Sequence, residues 1–173
     1  MNNLPWMTEE IKNQILIRDN IVNDKNIAAL YQLNDNDDFS IALYEILSNE
    51  CDYNPEKLNP TQRRLYLCML IENSGQADHI LGFLQEDYSN YAKEVVLSLK
   101  EIGAIKSSEI INKAIQLLPE DESWFFDSAD ENSIKLMNKY DSEFSNYPDG
   151  SMRELYRTFA EKNRVDFELI SNV

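Results

Sequence analysis

The groups most able to do chemistry in this 173-residue chain are 1 histidine, 2 cysteines and 31 carboxylates. His79 has Asp78 beside it, but an acid/base pair needs a nucleophile and an oxyanion donor, and its neighbourhood offers neither. It reads as a surface or helix-face histidine. Cys51 and Cys68 lie 17 positions apart with no CxxC and no histidine near, so neither a disulfide framework nor a zinc site is indicated. Cys68 falls inside an apolar run, where a thiol is a small core group with little thiolate character. Asp35, Asp37 and Asp38 resemble the opening of a calcium loop. Its sixth position is Ser40 instead of Gly and its twelfth is Ile46, with Glu45 one residue early, so the cluster reads as a helix cap in a solvated loop. Gly75, Gly82, Gly103 and Gly150 are too scattered to cradle a phosphate. No catalytic residue, metal or cofactor is expected, and the chain reads as non-enzymatic.

What remains is charge. Lys+Arg 16 against Asp+Glu 31 gives a net charge of −15, which disfavours nucleic acid or an anionic membrane as direct ligand and favours a basic partner. Three windows hold the excess. Between Lys25 and Lys57 lie Asp35, Asp37, Asp38, Glu45, Glu50, Asp52 and Glu56 with no basic residue among them. Glu72, Asp78, Glu86 and Asp87 fall between Arg64 and Lys93. Glu120, Asp121, Glu122, Asp127, Asp130 and Glu131 fall between Lys113 and Lys135, interleaved with Trp124, Phe125 and Phe126 as candidate aromatic anchors. Carboxylates at i and i+4 of a helix are about 6 Å apart along its axis, the order of the spacing between phosphates on a DNA strand. Rows of Asp and Glu on a rigid helical scaffold can therefore present a phosphate-like array. The first and third windows, from Asp35 to Asp52 and from Glu120 to Glu131, are the candidate protein-binding residues.

The elements carrying these windows read as helices. Gly 4 and Pro 5 are few, and Leu greatly outnumbers Val, which favours helix over strand. Thr8 caps a first helix running to about Asn23, and 26–33 has helical spacing. Asp37 or Asp38 is expected to cap the next helix, which fades before Pro60. The run 65–71 is apolar on every face and predicts a central buried helix opened by Pro60 and ended by Asn73-Ser74-Gly75. Residues 77–87 continue the helical pattern. The stripe Tyr91, Val95, Leu99 and Ile102 stops at Gly103, and Ser107 or Ser108 is expected to cap a helix ended by Pro119. A short helix over 133–140 follows, then the turn Pro148-Asp149-Gly150 and a last helix capped by Ser151, with Phe167 and Ile170 as final anchors. The prediction is an all-α, single-domain, multi-helix orthogonal bundle spanning 1–173. The start of the chain shows no basic-then-apolar leader and no run reaches the length of a membrane span, so the expected compartment is the cytoplasm.

Several segments together resemble a known family: Ile71-Glu72-Asn73-Ser74-Gly75, Tyr91-Ala92-Lys93-Glu94-Val95-Val96, Leu99-Lys100-Glu101-Ile102-Gly103-Ala104, the helix 110–119 centred on Ala114, Tyr140-Asp141-Ser142-Glu143-Phe144, and 155–167. They are similar to the bacterial DNA-mimic proteins over about 40–170, with the N-terminal helices of 8–33 packed on that region. One corner departs: the family pattern is Asn-Gly-Gly and an aromatic, where this chain has Asn73-Ser74-Gly75-Gln76. The resemblance implies an all-helical monomeric fold able to form a homodimer, no cofactor, no catalytic residue, and acidic residues that occupy the DNA-binding face of a transcription regulator or nucleoid protein. The same acidity would suit an immunity or antitoxin-like protein that neutralises a basic toxin or nuclease. A small hydrolase using paired carboxylates is a third class, marked by a polar pocket.

Overall fold

The computed structural model describes residues 7–77 and 79–169. Helix α1 (Glu9–Asn23) starts where the Thr8 hydroxyl accepts the Ile11 amide at 3.2 Å, and α2 (Ile27–Leu30) is one turn capped by Asn26. Helix α3 (Asn36–Cys51) is capped by Asp35, whose Oδ1 accepts the amides of Asp37 and Asp38 at 2.8 and 3.0 Å. The cap is thus two or three residues earlier than Asp37 or Asp38, which instead supply the first-turn negative charge that the helix N-terminus favours.

Helix α4 (Pro60–Ala77) is the centre of the molecule and packs against α3, α5, α8, α9 and α10. Leu65 to Ile71 are buried without a break, which is why this segment shows no single apolar face. It does not stop at Asn73-Ser74-Gly75. A Cβ on Gly75 would lie 3.2 Å from a ring carbon of Phe144 and 3.3 Å from Ile80, so the glycine serves close packing of α4 on α8 and the helix runs two residues past it.

The expected helix over 77–87 is instead a sharp corner followed by a π-type stretch (Gly82–Asp87), in which the Tyr88 amide reaches back five residues to the Phe83 carbonyl at 3.3 Å. Ser74 organises this corner. Its hydroxyl donates to the His79 carbonyl at 2.8 Å and accepts the Phe83 amide at 3.1 Å. Helix α5 (Ala92–Ile102) ends at Gly103 in the left-handed conformation, φ +97°, as its apolar stripe predicts.

Helix α6 (Ile105–Ile115) begins before Ser107 and Ser108, both of which are buried. Its N-terminus is capped from 42 or 43 residues away: Asp149 accepts the amides of Lys106 and Ser107 at 2.9 and 2.7 Å and the Ser107 hydroxyl at 2.8 Å. The turn at 148–150 therefore fastens two distant segments. After the one-turn α7 (Phe125–Ser128) comes α8 (Glu131–Ser145), longer at both ends than 133–140 because Asp130 caps it and Phe144 extends its buried face. Helix α9 (Met152–Lys162) is capped by Ser151 as expected, and α10 (Arg164–Glu168) buries Phe167. Ile170 and Asp78 lie outside the described residues. The architecture is an all-α multi-helix bundle, with no strand among the described residues.

Candidate protein-binding surface

The acidic windows, alike in sequence, differ in space. In the first, Asp37 pairs with Arg153 at 2.8 Å, Asp38 with Arg18 at 3.4 Å, Glu50 with Lys25 at 2.6 Å, Asp52 with Lys57 at 3.5 Å and Glu56 with Arg63 at 2.9 Å. Asp35 is spent on the α3 cap, and Glu45, half-buried, has no ion pair among the described residues. Folding thus brings cations from α1, α4 and α9 onto a stretch that is purely acidic in one dimension. Each exposed pair contributes little stability, but together they offset most of the field this window would project.

The third window is different. Glu120, Asp121, Glu122, Asp127, Asp130 and Glu131 are all exposed, and none is in an ion pair among the described residues. Asp121 accepts the Ser123 amide at 3.1 Å and Asp130 the Ser133 amide at 2.8 Å; hydrogen bonding from those serines holds both carboxyls below their ordinary range. Their charge is therefore fully present at neutral pH.

Gln85 ties this acidic segment to the π-type stretch. Its side-chain amide donates to the Ser123 carbonyl at 3.0 Å and its carbonyl accepts the Phe125 amide at 3.0 Å. Glu86 and Asp87, next to that link, are exposed and also without an ion pair among the described residues. Two sequence windows are thereby linked, and their exposed carboxylates form no ion pair among the described residues. Sequence spacing missed the contribution of Glu86 and Asp87, because nothing local says that Gln85 reaches across to Ser123 and Phe125.

The aromatics between the acids divide by burial. Phe125 is fully buried and pins the segment to the core; Trp124 is partly buried; Phe126 alone is exposed, at 43%. Its ring meets His79 edge-on at 6.2 Å and Trp124 at 5.9 Å. His79 Nδ1 accepts the Leu81 amide at 3.3 Å. Asp141, 3.5 Å from Nδ1, accepts the Ile80 amide at 2.8 Å. Both side chains are occupied in building the corner that ends α4, where Gln76 also donates to the Ser145 carbonyl at 3.1 Å.

Burial pushes the Cys68 thiol well up and the Cys51 thiol up, so neither is a ready nucleophile. Among the described residues no group of three or more His, Cys, Asp or Glu is placed to hold a metal ion, and no helix is long and apolar enough to cross a membrane.

A family model described as DMP19-like protein matches residues 56–163, from the turn before α4 to the end of α9. No curated protein and no solved structure matches the chain.

Proposed function

The chain belongs to the DMP19-like family, the DNA-mimic proteins that its sequence resembles, and from that premise we propose that it is a non-enzymatic DNA mimic whose partner is a basic, DNA-binding protein such as a transcription regulator or nucleoid protein. The observation that supports this most is that Glu86, Asp87 and the exposed carboxylates of 120–131 form no ion pair among the described residues. A surface acidic only for solubility would be interspersed with Lys and Arg, as the first window is once folded. Here the charges stand unneutralised on one segment, fixed to the core by Phe125 and to its neighbour by Gln85. Unpaired charge on a held backbone steers association and is screened by salt. Phe126, exposed among these acids, supplies an apolar contact of the kind that anchors an interface.

Of the original candidates this reading rests on Glu120, Asp121, Glu122, Asp127, Asp130 and Glu131, and gives Asp35, Asp37, Asp38, Glu45, Glu50 and Asp52 a lesser part. The test is capture from a cell lysate at low salt. A DNA-binding protein that is released by salt and displaced by added duplex supports mimicry. Recovery of a toxin, or a complex indifferent to salt and duplex, overturns it.

A further inference from the structure

A groove of about 440 Å³ opens beside the corner that ends α4. Its wall is aromatic and aliphatic: Tyr44 from α3, Tyr53 from the turn after it, Leu70 and Ala77 from α4, and Phe83 and Tyr88 from the π-type stretch and its exit. Two of these rings are fixed by pairing with buried rings. Tyr44 stacks with Tyr66, centroids 5.7 Å apart, and Tyr88 with Phe83 at 5.4 Å, the planes inclined by 28° in both pairs. Tyr53 is 64% exposed, on a turn where both it and Asp52 take left-handed backbone, φ +58° and +50°. The core gains little from a ring so placed, and Gly or Asn would end α3 with less strain.

Glu86 and Asp87 also line the groove, exposed and without an ion pair among the described residues. No lysine or arginine stands among its lining residues, and its one base, His79, lies against Asp141 at 3.5 Å. Such a site repels an anion, and a purely apolar group would shield the two carboxylates from water without replacing its hydrogen bonds. A guanidinium matches both parts: its flat, weakly hydrated face lies on tyrosine rings, and its N–H groups donate to carboxylates. An ammonium is a compact, strongly hydrated charge and gains less from the rings.

The groove is also continuous with the acidic segment. Gln85, next to Glu86, bonds Ser123 and Phe125, and His79, on the groove wall, meets the Phe126 ring edge-on at 6.2 Å. A protein face that binds DNA carries arginines for phosphates, so a partner lying over 120–131 brings the group that the groove fits. We propose that the groove receives one arginine side chain of the partner protein, its guanidinium against Tyr44, Tyr53 and Tyr88 and its charge held by Glu86 and Asp87. The identity of the occupant rests on the reading that the partner is a basic DNA-binding protein; the fit of the groove to a guanidinium does not.

The test is a ¹H–¹⁵N NMR titration of the full chain at low salt with the capped peptide acetyl-Gly-Arg-Gly-amide, against the same peptide carrying lysine or the neutral isostere citrulline. Saturable shifts are expected at Tyr44, Tyr53, Glu86, Asp87 and Tyr88 with arginine, weaker binding with lysine, and none with citrulline. Tyr53→Ala, at an exposed position, should weaken the arginine peptide by roughly twofold to fivefold, the worth of an exposed cation–π contact. Glu86→Gln with Asp87→Asn should weaken it by roughly tenfold, less as salt rises. Neutralising Glu120, Asp121 and Glu122 should leave the peptide's affinity within about twofold, although it weakens the partner complex. Shifts spread evenly over all exposed carboxylates, equal binding of the arginine and citrulline peptides, or binding unchanged in folded Tyr53→Ala overturn the proposal. The groove is read with a peptide alone and mimicry by displacement of duplex, so either can fail while the other stands.

Discussion

Replacing Gln85 by Ala should loosen the acidic segment without touching a single charge. The side chain makes two hydrogen bonds to that segment, with the Ser123 carbonyl and the Phe125 amide, each at 3.0 Å. Each bond is worth about 1 kcal/mol net, and an amide left without a partner beside a buried ring adds roughly another 1 kcal/mol. The expected loss is therefore about 2–3 kcal/mol, or roughly 30- to 150-fold in the local opening equilibrium. Native-state hydrogen exchange at the Phe125 amide reads this directly, with urea unfolding as the global reference. Gln85→Glu is the informative contrast. It keeps an acceptor for the Phe125 amide but sets a carboxylate oxygen against the Ser123 carbonyl, so Phe125 should stay better protected than in the alanine variant. Unchanged protection of Phe125 in Gln85→Ala would refute the claim that this residue holds the segment.

Neutralising Glu120, Asp121 and Glu122 together to amides should slow association with the captured partner and flatten its salt dependence, by about 0.5–1 kcal/mol per charge at low salt. The same change at the ion-paired Asp38, Glu50 and Glu56 should lower the urea midpoint while leaving the association rate nearly unchanged, which stopped-flow mixing separates. Asp149→Ala removes the cap of α6 and should cost about 2 kcal/mol in urea unfolding, with faster exchange of the Lys106 and Ser107 amides. Burial is the main cause that pushes the Tyr31 and Tyr147 hydroxyls up to about 12, and it raises the Tyr156 hydroxyl as well. A raised tyrosine pKa stabilises the fold while the hydroxyl is protonated. Stability should therefore hold below about pH 10, the unfolded value, and fall as pH rises through the folded values near 12, in step with phenolate absorbance.

What the sequence made legible is what neighbours in the chain decide. Thr8 and Ser151 cap the helices that follow them, Gly103 ends α5, and the unbroken apolar run in α4 lies in the centre, because each signal acts within one or two turns. The misplaced boundaries come from partners far away. Gly75 looks like a helix end until Phe144 is seen against it, and Ser107 looks like a cap until Asp149 takes that place from another turn. At the candidate surface the same limit applies. Asp37 and Glu120 are equivalent as letters, but Arg153 pairs with one, while the other has no ion pair among the described residues. Glu86 and Asp87 stand in the sequence only as two more acids in a window, and the groove they line exists only after the π-type stretch packs against α4.

The most direct test of mimicry is a competition between this protein and labelled duplex DNA for one purified DNA-binding partner, followed across a range of salt. Mimicry predicts mutually exclusive binding, an affinity that falls steeply as salt rises, and loss of competition when Glu120, Asp121 and Glu122 are neutralised together. A ternary complex of protein, partner and duplex, or competition untouched by that neutralisation, would contradict it.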